Sequence, residues 1–259
     1  IMINGKDREF ASKKARKEVE KLIKKHIDRF NNILYGIQIS YDLFSFNHKR
    51  IKNRVDNLTK LLEEELYNLC VYYALYKLNK EEEDEEDILA YLNSDRDGGS
   101  LIESISKYTS ILNAEIEAYI ESSLFFDISI PLGLKELKEG LKNAYSTNFV
   151  RKAYKNIEKP KSDILKTKGI TVKKGQYKTS TSNLERLIWF MVIDALTYRQ
   201  MTLFIGMGAI GYEVHRGSSY PCDYCDSFLG FHPIDDPSAL PPQHGSCYCY
   251  ITPSFKEEE

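Results

Sequence analysis

The chain has 259 residues, 42% of them hydrophobic, which is enough to bury one large core or two modest ones. A formal charge of -2 and a pI near 6.3 exclude the large basic excess of a dedicated nucleic-acid coat, while leaving room for local patches. No apolar run approaches the roughly 20 residues of a membrane span, since the longest candidate, Leu187 to Ile193, is cut off by Asp194 and Arg199.

The N-terminus, IMINGKDREFASKK, lacks the apolar core of a signal peptide, so the thiols are expected to stay reduced and clustered cysteines read as metal ligands before disulfides. An Ile ahead of Met2 is what a fragment or a processed product would show. From about Asp7 to Leu34, Phe10, Ala11, Ala15, Val19, Leu22, Ile23, Ile27, Phe30 and Leu34 recur at helical spacing, which predicts a long amphipathic helix. Its opposite face carries Lys13, Lys14, Arg16, Lys17, Lys21, Lys24, Lys25 and Arg29, diluted by Glu9, Glu18, Glu20 and Asp28. That face reads as a solvated surface, with phosphate or an acidic protein surface as the alternative occupant.

Tyr35 to Lys49 is expected to break the pattern before a second helix from about Ile51 to Leu78, in which Cys70 takes a core position as a buried structural thiol. The acidic run Glu81 to Asp87 lacks the ligand alternation and turn glycine of a calcium loop and suits a loop or a helix start. Asp95, Asp97, Gly98 and Gly99 mark a turn, and helical spacing resumes from Leu101 to Ile120 and again from Leu134 to Tyr154. Ile170 to Lys178 alternates like a strand or hairpin turning at Gly175. This connector is taken as the junction between a helical scaffold domain, 1–168, and a C-terminal module, 169–259.

Ser182 and Glu185 match a capping box that would open a helix apolar on nearly all sides at LIWFMVI, and hence buried on both. Arg199 and Gln200 near its end are expected to be surface or satisfied core residues. Tyr212 to His215 alternates like a strand, as does the short stretch within LGFHPIDD.

The stretch Tyr220 to Thr252 holds four of the five cysteines and two of the five histidines. Cys222-x2-Cys225 can turn two thiolates toward one ion, and His244-x2-Cys247 follows after 18 residues, an interval typical of structural zinc sites. Cys249 adds one thiol to spare. Three thiolates and a neutral imidazole satisfy tetrahedral zinc; Cys247 is the preferred fourth ligand, with Cys249 close behind, and the two would share a face on a strand. Unmetallated thiols or a pair of disulfides are the competing readings. His232, followed by Pro233, fits neither pair and reads as structural, while Pro241 and Pro242 stiffen the approach to His244.

Pro221-Cys222-Asp223-Tyr224-Cys225 matches half of a zinc deaminase signature, but the H-x-E or C-x-E half is missing: His26 is followed by Ile-Asp, His48 by Lys-Arg, Cys70 by Val-Tyr and His215 by Arg-Gly. A closed ligand set points to a metal that staples rather than reacts, so no enzyme is expected.

The order Cys222-x2-Cys225, Leu229-Gly230-x-His232, Ile234-Asp235-Asp236, Pro241-Pro242-x-His244-x2-Cys247-x-Cys249 resembles the C-terminal motif of the phage Mu F-like minor head proteins, also called phage head morphogenesis proteins. The preceding helix with Arg199 and the run Gly211-Tyr212-x-Val214-His215-Arg216 are similar in layout. The likeness covers about the last 70 residues. Gly245-Ser246 and Tyr248 replace the Pro-Asn and Arg common in that family, and these are spacers rather than ligands. The resemblance implies a structural virion component of a tailed bacteriophage, present in few copies in the capsid interior or portal region and assembled in the host cytoplasm. Its partners would be the portal or other capsid proteins, with contact to packaged DNA, and its role would be in head assembly or in DNA packaging and delivery. A chain ending at Glu259 leaves no room for the toxin or transferase domains some relatives carry downstream. The expected fold is mainly α with a small C-terminal α+β module stapled by structural zinc; the rivals are a zinc-containing nucleic-acid-binding protein and a metal-dependent hydrolase or transferase using Asp223, Asp226, Asp235 and Asp236.

Overall fold

The computed structural model describes residues 2–41, 48–81, 84–95, 99–125, 180–217, 222–244 and 247–255. It is mainly helical, with a small antiparallel sheet near the C-terminus. The elements are α1 (Gly5–Tyr41), α2 (His48–Ala74), α3 (Glu85–Asn93), α4 (Leu101–Phe125), α5 (Ser180–Gly206), β1 (Gly211–His215), the single turn α6 (Asp223–Asp226), β2 (Gly230–Pro233) and β3 (Tyr250–Ser254). No helix among the described residues is long and apolar enough to cross a membrane.

The chain forms two compact units, each discontinuous in sequence: Ile1–Lys17, Asn68–Ser94 and Arg186–Glu259 make one, Glu18–Tyr67 and Asp95–Glu185 the other. Both units draw chain from before residue 168, and the expected junction at 168/169 lies outside the described residues. So do the helical spacing at Leu134 to Tyr154 and the alternation at Ile170 to Lys178.

The second unit is a packing of helical stripes. Val19, Ile23, Ile27 and Phe30 from α1, Val55, Leu62 and Leu66 from α2, and Leu101, Ile105, Leu112 and Ile116 from α4 are all buried. Polar ties fix their pairing: Arg29 forks onto Glu65 with both bonds at 3.0 Å, Lys25 joins it at 2.8 Å, and the Thr59 hydroxyl donates to Asn113 Oδ1 at 2.7 Å. α4 is opened by a capping box in which Ser100 N–H donates to Glu103 Oε2 at 2.9 Å and Glu103 N–H to Ser100 Oγ at 3.3 Å.

α1 runs on to Tyr41, past the break expected at Tyr35, because nothing from Tyr35 to Tyr41 except Gly36 opposes helix propagation. α2 stops at Ala74, short of Leu78, and Lys77 takes a left-handed backbone with φ 54° in the turn that follows. α5 begins at Ser180, so Ser182 lies inside the helix rather than capping it.

In the first unit the acidic run does start a helix: Asp84 caps α3 by accepting from Glu86 N–H at 2.8 Å, placing three further carboxylates in the first turn. Arg199 is buried and its Nη1 donates to the carbonyls of Ala74 at 2.9 Å and Tyr76 at 2.8 Å, closing the orphan end of α2. Gln200 Nε2 donates to the Ile3 carbonyl. Both are core residues, Arg199 with its Nη1 bonded twice and Gln200 with its amide nitrogen bonded but its Oε1 left without a hydrogen-bond partner among the described residues. Cys70 is buried and free of any disulfide.

β1 is the central strand, in the order β2-β1-β3, with Gly211 opposite Pro233 and Ser254, and His215 opposite Tyr250. Alternation along β1 buries Tyr212 and Val214 and turns Glu213 and His215 outward. The start of β3 was not legible as a strand, and it has a consequence for the site. With both neighbours antiparallel to β1, the chain leaving β1, the chain entering β2 and the chain entering β3 all meet at one end of the sheet.

Candidate metal centre

That end of the sheet collects the cysteines. Cys222 and Cys225 lie in the β1–β2 connection, His244, Cys247 and Cys249 in the connection that enters β3. α6 is one turn capped by Cys222, whose Sγ accepts from Cys225 N–H at 3.5 Å, so the first thiol of the pair is oriented by the backbone of the second. Pro241 and Pro242, joined by a cis peptide, are buried just before His244.

Two groups of donor atoms result, each with its atoms within 4.8 Å of one another: Cys222, Cys225 and His244, and Cys225, Cys247 and Cys249. Cys225 belongs to both. Its Sγ lies 3.1 Å from His244 Nε2 and 3.9 Å from Cys247 Sγ, and Cys222 Sγ lies 3.5 Å from the same Nε2. A tetrahedral zinc ion with bonds of about 2.3 Å to sulfur and about 2.0 Å to nitrogen spaces its ligands about 3.8 Å apart, sulfur to sulfur, and about 3.5 Å, sulfur to nitrogen. The donor set and its spacing fit an ion of that kind. Each of the five residues expected from the sequence falls in one of these two groups, and Cys247 and Cys249 are both within reach of Cys225.

They do so without the strand that would have aligned them. Both precede β3 in chain that belongs to no strand, where the Cys247 N–H donates to the His244 carbonyl at 3.0 Å, and both are buried, Cys247 at 1% and Cys249 at 5%. The segment is held from outside instead. Trp189 Nε1 on α5 donates to the Cys247 carbonyl at 3.4 Å, and the Trp189 ring meets Tyr248 edge-on with centroids 5.0 Å apart. Gly217, just past β1, leaves no room for any side chain, because an added Cβ would sit 1.7 Å from the Tyr248 carbonyl oxygen.

The thiols share protons unevenly. Hydrogen bonds from Cys225 and Cys249, together with backbone bonds at Gln243 and Cys249, hold Cys247 well below the ordinary thiol range despite its burial. The same bond to Cys247, then that to Cys249 and desolvation, push Cys225 up.

His232 stands apart. Its Nε2 is 3.0 Å from the Phe228 carbonyl and its ring stacks on Tyr212, the structural role expected of it. Nor do carboxylates take part: among the described residues neither donor group contains one. Asp226 is paired with Arg216, and Asp236 Oδ1 accepts from Ser238 N–H at 2.9 Å in a local turn.

The residue that sequence reasoning missed is Trp189, read only as part of an apolar helix. No protein-family model, no curated protein and no solved structure matches the chain.

Proposed function

We propose that the C-terminal module holds one structural zinc ion through Cys222, Cys225, His244 and a thiolate from Cys247 or Cys249, and that the protein serves as a structural minor head protein of a tailed bacteriophage. The observation that carries the metal is the spacing around Cys225, with 3.1 Å to the His244 nitrogen and 3.9 Å to the Cys247 sulfur. Zinc is favoured by the thiolate-rich donor set with a single imidazole. A closed set of thiolates leaves no open position for substrate, so the ion's part is to join two connections that share no strand pairing. The head-protein role rests on the resemblance of the Cys/His motif and its preceding helix and strand. In that role the staple keeps a small fold rigid so that other surfaces can dock on the portal or inner capsid.

The rival reading, a nucleic-acid-binding zinc protein, draws on the basic face of α1. At least four of its eight cations are paired with carboxylates, Lys13 with Glu9, Lys21 with Glu18, and Lys25 and Arg29 with Glu65. Pairing of this kind lowers the charge offered to a phosphate backbone.

Protein purified reduced and without chelator is expected to carry about one zinc per chain, and to be retained on assembled heads or on the portal protein when the two are co-expressed. Absence of zinc would sink the metal centre. Salt-sensitive retention on DNA that disappears when Lys21 and Lys24 are neutralised, with no retention on heads, would favour the rival.

A further inference from the structure

The thiols of the cluster are not equally accessible. Cys225, Cys247 and Cys249 are buried, and Cys222 is partly exposed. Reversible thiol oxidation depends on a sulfur that an oxidant can reach, placed next to a second thiol that traps its oxidised form.

The second thiol is fixed by geometry. Among the described residues Cys222 shares a donor group only with Cys225 and His244, whose donor atoms all lie within 4.8 Å of one another. The Cys225 N–H donates to Cys222 Sγ at 3.5 Å, which holds the Cys222 sulfur against the turn that carries Cys225. Cys225 is also the residue common to both donor groups, 3.1 Å from His244 Nε2 and 3.9 Å from Cys247 Sγ. Without it no group of three donors is left among the described residues. An oxidation that consumes Cys225 therefore dissolves both halves of the site.

We propose that Cys222 is the oxidation gate of the metal centre: a peroxide attacks its sulfur, a disulfide to Cys225 follows, and the ion is released. This rests on the reading of the cluster as a metal centre. In the first step the Cys222 thiolate attacks one oxygen of hydrogen peroxide and breaks the O–O bond, giving a sulfenic acid and a hydroxide. In the second the Cys225 thiolate attacks the sulfenic sulfur, forms the S–S bond and expels a second hydroxide. The two sulfurs together lose two electrons, and the peroxide gains them. Both cysteines lie in the β1–β2 connection, so their disulfide reaches nothing in the chain that enters β3, and loss of the ion unties the two connections. A disulfide from Cys225 to Cys247 would do the opposite and put a covalent tie in place of the ion. Burial of both of those sulfurs, against the exposure of Cys222, favours the first route.

The test uses the full chain loaded with zinc and treated with hydrogen peroxide. Free zinc is read with a colorimetric chelator, and disulfides are mapped by mass without reduction after cleavage at Asp223, Asp226 and Asp236, which separates Cys222, Cys225 and the Cys247–Cys249 pair. A Cys222–Cys225 disulfide is expected to appear in step with zinc release, about one ion per disulfide, and dithiothreitol with added zinc should reverse both. Limiting iodoacetamide on the loaded chain is expected to label Cys222 ahead of Cys225, Cys247 and Cys249. A disulfide from Cys225 to Cys247 or Cys249, a Cys222–Cys225 disulfide that leaves zinc bound, no disulfide at all, or labelling that spares Cys222 would each overturn the proposal while leaving the metal centre intact. A chain that binds neither zinc nor its spectroscopic stand-in cobalt before peroxide is added would remove the metal centre, and the gate with it.

Discussion

The two units solve the same problem with different means. In the unit built from Glu18–Tyr67 and Asp95–Glu185, long helices bury whole stripes of aliphatic side chains, and Phe30, Leu62, Leu66 and Ile105 are essentially inaccessible. Burial on that scale supplies stability without help, at about 1.5 to 3 kcal/mol per large side chain. The sheet of the other unit has strands of five, four and five residues. Its core cluster of Met201, Phe204, Ala209, Tyr212, Val214, Ala239 and Ile251 includes Cys225, Cys247 and Cys249. Where the helical unit places leucines, the core of this sheet places thiols beside its aliphatic and aromatic residues. Three short strands do not stand alone on apolar burial, and the difference shows at which place in the chain the proposed ion would add most.

The comparison is broken most strongly by denying the cluster the ion proposed for it. Cys225→Ser, or chelation of the parent, is expected to remove on the order of 10 kcal/mol of coupling between metal binding and folding of the sheet. The chain has a single tryptophan, and Trp189 donates to Cys247, so its fluorescence should respond while far-ultraviolet helicity is largely kept. Loss of helicity in step with the tryptophan signal would show that the two units do not differ in this way.

Phe30→Ala is the converse experiment. It is expected to cost the helical unit about 3 to 5 kcal/mol, read as a lower urea midpoint, with cobalt affinity unchanged.

A smaller effect separates the units by pH. His26 is fully buried against Phe30, neither ring nitrogen has a hydrogen-bond partner among the described residues, and burial followed by the Arg29 charge lowers its pKa from 6.5 to about 4. Between those values the unfolded chain holds a proton that the folded chain does not, so stability falls as pH drops from about 6.5 toward about 4, by about 3 kcal/mol in full. Glu65, raised by partial burial but brought below the usual carboxylate range by Arg29 and Lys25, also loses stability on acidification. Comparing His26→Leu with the parent isolates the imidazole: the variant should show a shallower decline of its urea midpoint over this range. An identical pH dependence in the two chains would remove His26 as its source.

Periodicity made the helices legible because it is a local property: Val19, Ile23, Ile27 and Phe30 announce their common face whatever they pack on. The metal donors were legible for the same reason, since C-x2-C and H-x2-C-x-C are spacings along the chain. Helix ends were less so. A capping pattern at Ser182 lost to a helix already under way from Ser180, and α1 continued through an aromatic and polar stretch with no strong breaker in it.

What the sequence determined by itself is therefore a mainly helical protein with a Cys/His cluster able to hold an ion near its C-terminus. Only the tertiary structure decided that β3 pairs with β1 beside β2, which gathers both halves of the cluster at one end of the sheet. The same holds for the setting of Cys247 and Cys249 by Trp189 and Gly217. The physical reason is distance along the chain. Pairing, clamping and charge compensation join residues separated by tens to hundreds of positions, and no local pattern encodes which partner a strand edge, an indole or a buried cation will find.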